Sequence, residues 1–302
     1  MTRTVTFPGL GLEFHLNRVA FELLGLPIYW YGVIIALGFL LAVLVCYKLA
    51  PRFGIKADDI IDLLFFAVPL SILGARLYYV LFNLDIYRTE DGGLNFYDMI
   101  DIRDGGLAIY GGVIAAAATL LVFCKVKKLN FFAFADMGAY GLLIGQCIGR
   151  WGNFVNVEAY GGPCDMPWRM GIDVLVADGT WEYMEVHPTF LYESLWNFVG
   201  LIILLAILFA GLRKFDGQIM WSYFLWYGFG RGLIEGLRTD SLYLFQTSIR
   251  VSQALGFISA LIAACILIYH LAVRKHSPDE LYVNRMKGKK AHTESIEAEE
   301  DT

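Results

Sequence analysis

Apolar residues in this chain run on for about twenty positions at a time, broken by short polar stretches. Seven such runs lie near 28–48, 60–83, 106–124, 131–151, 189–211, 218–236 and 251–272. A bilayer core of about 30 Å takes roughly 20 apolar residues per helix, so each run is long enough to span one. The runs are continuous, with no ten-residue alternation of polar and apolar positions, and this excludes barrel strands. The pattern predicts an all-α integral membrane protein with seven transmembrane helices. Residues 1–27 are interrupted by Pro8, Glu13, His15, Arg18 and Glu22. They lack the uniform apolar core of a signal peptide and read as an amphipathic segment at the interface.

Composition agrees: 57% of the 302 residues are hydrophobic and 18% charged, and the mean hydropathy of +0.55 is too high for a soluble domain of this length. Charge placement then orients the spans. Lys48, Lys56, Lys125, Lys127, Lys128, Lys214, Lys275, Lys287, Lys289 and Lys290 all fall on one side if the spans alternate. By the positive-inside rule that side is the cytoplasm, which puts the N-terminus outside and the C-terminus cytoplasmic. The opposite loops are acidic, with Asp85, Glu90, Asp91, Asp98, Asp101 and Asp104 in one and Asp165, Asp173, Asp178, Glu182 and Glu185 in another. The expected organisation is a seven-helix membrane domain over 1–272, with a long outer loop at 152–188 suited to function. A cytoplasmic tail over 273–302, polar and mixed in charge, is expected to be disordered.

Intramembrane polarity gathers in the outer half, the inner halves being nearly free of charge apart from Asp62 and Asp136 close to the inner ends. Arg76 comes late in the second span, Arg150, Asn153, Asn156 and Glu158 close the fourth, and Tyr227, Arg231, Glu235 and Arg238 come late in the sixth. Tyr31, Tyr110 and the pair Tyr192/Glu193 open the first, third and fifth. A single arginine there can snorkel to the headgroups, but several arginines and glutamates at one depth point to a shared site. Tyr227, Arg231 and Glu235 recur every four residues and share a helix face. Gly141, Gly145 and Gly149 on the fourth span, and Gly228, Gly232 and Gly236 on the sixth, suggest that these two spans pack directly.

Counting Arg76, four arginines against three glutamates leave a slight positive excess, which suits one phosphate; arginine stays ionised when buried and matches phosphate oxygens with a planar fork. A phosphate in an apolar pocket at this depth is the head of a phospholipid. Cys46, Cys124, Cys147, Cys164 and Cys265 form no disulfide or metal pattern, and neither a GxSxG nor an HExxH motif occurs. No metal, cofactor or nucleic-acid partner is expected, and the nucleophile is left to a second substrate.

The run GRWGNFVNVEAYGG at 149–162 resembles the signature of the prolipoprotein diacylglyceryl transferase family, and IYWYG (28–32), DGGLAIYGG (104–112), HPTFLYE (187–193) and YGFGRGLIEGLR (227–238) agree with the family in order. The resemblance implies transfer of the diacylglyceryl group of phosphatidylglycerol to the lipobox cysteine of a prolipoprotein signal peptide, in the bacterial plasma membrane with the site facing outward. By position it assigns lipid binding to Arg150, Asn153, Glu158 and Gly161, with Tyr31, Tyr227, Asn156 and Arg238 beside them. Catalysis falls to Arg231 and Arg150 with Glu235 and Tyr110. Many members carry histidine where this chain has Tyr110; tyrosine is a poorer base at neutral pH, so a hydrogen-bonding role is expected instead. His187 reads as a helix-start residue, and Tyr192 and Glu193 as equally suited to site and packing. The alternative reading is a phospholipid transporter or flippase, which should carry polar residues across the midplane.

Overall fold

The computed structural model describes residues 2–89, 93–102, 105–176, 179–244 and 247–288. Glu90, Asp91, Asp104 and Asp178 of the acidic loops, and tail residues 289–302 with Lys289 and Lys290, lie outside the described residues. In chain order the main elements are β1 (Thr2–Phe7), β2 (Leu12–Asn17), β3 (Val19–Leu23), β4 (Leu26–Tyr29), α1 (Trp30–Leu49), α2 (Ala57–Phe82), α3 (Phe96–Ile100), α4 (Ile109–Val126), α5 (Phe131–Asn156), β5 (Met170–Leu175), β6 (Trp181–Val186), α6 (Thr189–Phe209), α7 (Gln218–Glu235) and α8 (Val251–Ile268). Among the described residues, six helical segments are long and apolar enough to cross a membrane. The helix α7 is 18 residues long but too polar along its length to join them, with Gln218, Ser222, Arg231 and Glu235 within it.

The chain is mostly helical, but not all-α. A four-stranded antiparallel sheet runs β2-β1-β5-β6, and β3 pairs with β4 in a separate hairpin. The N-terminal segment expected to lie at an interface therefore supplies strands, and the 152–188 loop supplies their partners, with Val5 opposite Ile172. Alternation in TRTVTF explains this: Val5 and Phe7 turn inward onto Met170, Ile172, Val186 and Phe190 while the residues between face out.

Two compact units make up the chain, residues 1–49 with 135–302, and residues 50–134. In the larger unit the small-residue faces pair differently from expectation. A methyl placed on Gly228 would fall 2.6 Å from the Gly256 carbonyl oxygen, and one on Gly256 2.7 Å from the Gly228 carbonyl oxygen, so α7 lies against α8. On α5, Gly141 faces Cys46 and Ala42 of α1. Four-residue glycine spacing creates a face that a backbone can approach, and the complementary small residues of the neighbour decide which helix fills it.

The far end of α7 is fixed by a carboxylate from α5. Asp136, fully buried, accepts from Arg213 Nε (2.9 Å) and from the backbone N–H groups of Gly217 (2.9 Å) and Met220 (2.8 Å). Those N–H groups are helix-terminal donors with no partner within the helix, and the helix dipole favours the negative charge. Asp136→Ala is expected to lower stability by about 3–5 kcal/mol, because it removes one of the two carboxylates paired with buried Arg213, Asp216 being the other, and leaves the Gly217 and Met220 N–H groups without their acceptor. Thermal unfolding in detergent reads this, and an unchanged midpoint would refute it. Beyond this end, Asp216 accepts from the Tyr282 N–H (3.0 Å) and pairs with Arg285 (3.4 Å), which ties residues 282–285 of the tail to the turn before α7.

Candidate active site

Three guanidinium groups meet on one carboxylate. Glu193, in the second turn of α6 and 4% exposed, takes Arg150 Nη2 of α5 on Oε2 at 2.5 Å. It takes Arg231 Nη1 of α7 on Oε1 at 2.9 Å and Oε2 at 3.1 Å. Arg238 Nη1, just past the end of α7, approaches Oε1 at 3.4 Å. One buried glutamate thus aligns arginines from two helices and a loop at one point.

Each arginine has a second anchor. Arg231 Nη2 pairs with Glu235 Oε2 at 2.5 Å one turn further on, as the four-residue spacing predicts. Arg150 Nη1 donates to Asn153 Oδ1 (3.2 Å), and Asn153 Nδ2 donates to Glu158 Oε1 (2.8 Å). Arg238 holds Asp240 through Nε (2.9 Å) and Nη2 (2.7 Å), and these bonds keep the Asp240 carboxyl below the usual carboxylate range. The arginine side chains remain 20%, 15% and 11% exposed at Arg150, Arg231 and Arg238, so none of the three is wholly enclosed.

Backbone pairing brings the three segments together. The Gly161 N–H donates to the His187 carbonyl (3.0 Å), the Gly162 N–H to the Leu237 carbonyl (2.9 Å), and the His187 N–H to the Gly162 carbonyl (3.0 Å). The loop after α5 is thereby stitched to the strand entering α6 and to the turn leaving α7. A methyl on Gly161 would fall 2.7 Å from His187 Cβ and 2.9 Å from the Leu237 carbonyl oxygen. Gly161→Ala is expected to push these segments apart, lowering stability by about 1–3 kcal/mol and activity at least tenfold. Normal activity in the purified variant would show that the stitch does not position the arginines.

Comparison with known proteins decides the family. The sequence model of the prolipoprotein diacylglyceryl transferase family matches residues 18–269. A protein of Finegoldia magna called phosphatidylglycerol–prolipoprotein diacylglyceryl transferase is 47% identical over 252 residues, covering 83% of this chain and 94% of its own. A Bacillus cereus protein of the same name is 43% identical over 252 residues, covering 82% and 91%. The chain belongs to the prolipoprotein diacylglyceryl transferase family.

In this diacylglyceryl transferase, a multi-pass membrane enzyme, the geometry joins Arg150, Asn153 and Glu158 to Arg231, Glu235 and Arg238 through Glu193. Tyr31 at the head of α1 lays its ring against Gly152, two residues past Arg150. Tyr227 stacks on Tyr223 with ring centroids 5.5 Å apart. The Asn156 carbonyl accepts from Arg18 Nη2 (2.8 Å), a contact by which the stretch before β3 anchors the end of α5. Arg250 donates to the Glu235 carbonyl from the start of α8. Neither Arg18 nor Arg250 was singled out by sequence reasoning, since both reach backbone oxygens that no motif records.

Arg76 has partners that the sequence does not announce, and the expected charge balance is corrected. Arg76 belongs to the smaller unit and spends its guanidinium on backbone: Nε donates to Met99 O (2.9 Å), Nη1 to Gly105 O and Gly106 O (2.9 Å each) and Nη2 to Asp98 O (2.6 Å). It holds the loop before α4. The predicted excess of positive charge is not realised, because Arg150, Arg231 and Arg238 face Glu193, Glu235 and Asp240. The cluster is close to balanced, and an anion must compete with these carboxylates for the guanidinium donors. Tyr110 is exposed at the second position of α4 in the smaller unit. His187 lies at the entrance of α6 as expected, its Nδ1 3.2 Å from the Tyr192 hydroxyl, which also accepts from Trp168 Nε1 (2.8 Å).

Proposed function

We propose that this protein moves the diacylglyceryl group of phosphatidylglycerol onto the lipobox cysteine thiol of a prolipoprotein signal peptide, at the outer face of a bacterial plasma membrane crossed seven times. The observation that carries this reading is the convergence of Arg150, Arg231 and Arg238 on Glu193. Guanidinium forks held in register on one carboxylate are preorganised for another planar-edged anion, and a phosphodiester offers the same oxygen geometry. The family's named substrates and the apolar setting make that anion a phospholipid headgroup.

In the reaction the cysteine sulfur forms a bond to the glycerol carbon that carries the phosphate. The C–O bond to phosphate breaks, its electron pair stays on the phosphate oxygen, and glycerol 1-phosphate departs. The thiol proton passes to the leaving phosphate or to a glutamate of the cluster. Charge builds on the phosphate as it leaves, and Arg150 and Arg231 oppose it in a site of low dielectric, which is where fixed donors contribute most. Asn153 and Glu158 stand on the outer side of Arg150, suited to the headgroup hydroxyls. Tyr110 serves in hydrogen bonding.

Purified protein incubated with phosphatidylglycerol and a lipobox peptide should yield a thioether-linked diacylglyceryl mass on the cysteine. Lipid movement between leaflets without peptide modification would replace this reading with that of a flippase.

A further inference from the structure

Beneath the arginine cluster lies a second tier of polar side chains, one helical turn along each of the same three helices. On α5, Gln146 is four residues before Arg150. On α6, Asn197 is four residues after Glu193; on α7, Tyr227 is four residues before Arg231, with Tyr223 one turn further on. At 1.5 Å per residue, four residues place this tier about 6 Å from the first. Its members are connected: Gln146 Nε2 donates to the Tyr223 hydroxyl (2.9 Å), and Tyr223 stacks on Tyr227. Asn197 shares a cavity of about 10 Å³ with Glu193, Tyr227 and Arg231, room for roughly one oxygen atom.

Two atoms of this tier are unsatisfied. Gln146 Oε1 and Asn197 Oδ1 are buried with no hydrogen-bond partner among the described residues, and Asn197 as a whole is 2% exposed. A buried amide oxygen without a partner is costly, so two of them below the cluster call for a ligand. A carboxamide can present either end by turning about its last bond. In Gln146 the exchange keeps the contact with Tyr223, whose hydroxyl then donates instead of accepting, and it frees the NH₂ group.

We infer that Gln146 and Asn197 bind the ester carbonyl groups of the lipid substrate. This rests on the proposed function, which puts the phosphate at the arginine tier and the tail-ward direction along α6. A phospholipid held there by its phosphate must pass its glycerol and two ester groups through the next turn, since these follow the phosphorus by a few bonds. The ester carbonyls are the only polar groups it has at that depth. They accept hydrogen bonds and do not donate them, and the amide NH₂ groups supply the donors. The tier therefore selects acyl lipids over alkyl lipids, and it holds the glycerol carbon under attack at a fixed height relative to the arginines.

The test compares diacyl phosphatidylglycerol with its dialkyl ether analogue, which lacks both carbonyls, using the full-length protein and a lipobox peptide. The native enzyme is expected to prefer the diacyl lipid by about tenfold or more in kcat/KM, the worth of one or two hydrogen bonds. In Asn197→Leu and Gln146→Leu, assayed separately, that preference should fall toward unity, with the loss confined to the diacyl substrate. Equal turnover of both lipids by the native enzyme overturns the inference, and so does a variant that loses the same factor on both. The native comparison stands even where a variant fails to accumulate. Transfer from neither lipid would overturn the proposed function as well, whereas transfer without ester preference overturns this inference alone.

Discussion

Replacing Glu193 with alanine is expected to abolish transfer, by a factor above 10³, and to weaken the fold. The carboxylate is the common partner of Arg150, Arg231 and Arg238, and without it Arg150 keeps only the neutral Asn153 while Arg231 and Arg238 keep Glu235 and Asp240, in an interior that screens their mutual repulsion poorly. Breaking a buried pair by removing one partner costs about 3–5 kcal/mol, and that cost falls on Arg150, whose ion pair here is with Glu193. Glu193→Gln separates the charge from the shape. Glutamine keeps the volume and an acceptor oxygen, so this variant should accumulate and bind the anionic lipid at least as tightly as the native protein, because one competing negative charge has gone. Its turnover should still fall about 10²–10³-fold, since guanidinium donors no longer pinned by an ion pair lose the alignment from which electrostatic stabilisation derives. Lipid binding in nanodiscs and single-turnover transfer read the two effects. Native turnover in Glu193→Gln would show that Glu193 packs the helices and does not position the arginines.

What could be read in the sequence follows from which interactions are local. The helices α1, α2, α4, α5, α6 and α8 were legible because long apolar runs leave the backbone no other way to satisfy its hydrogen bonds in lipid. Arg231 and Glu235 were legible as a pair because they lie one turn apart on a single helix. Glu193 was not legible as the hub, because its partners come from other helices and Arg231 lies 38 residues away in sequence. A lone glutamate early in an apolar helix reads the same whether it faces a site or a neighbour. The sheet was missed for a related reason: β1 is six residues long, and one of its two neighbours is β5, more than 160 residues later. The use Arg76 makes of its guanidinium was not legible either. Its partners are carbonyl oxygens, which every residue carries and no sequence pattern marks.

Arg231→Ala should reduce turnover by about 10²–10³-fold while leaving lipid affinity within severalfold of native. Arg150 and Arg238 still reach Glu193 in that variant, so the headgroup retains two guanidinium partners and ground-state binding survives. Arg231 differs from them in spanning two buried carboxylates, Glu193 through Nη1 and Glu235 through Nη2. That double anchorage fixes the orientation of its plane, and a fixed donor is worth most where charge appears during the reaction, on the departing phosphate. Lysine cannot replace this geometry. Its single ammonium can serve one carboxylate at a time, so Arg231→Lys should remain at least tenfold slow despite keeping the charge. Arg150→Ala should show the opposite division, with lipid affinity falling further because the link through Asn153 to Glu158 is lost with it. Single-turnover rates and lipid dissociation constants measured on the same preparations separate the two arginines. Equal loss of binding and turnover in both alanine variants would mean that they act as one undivided charge.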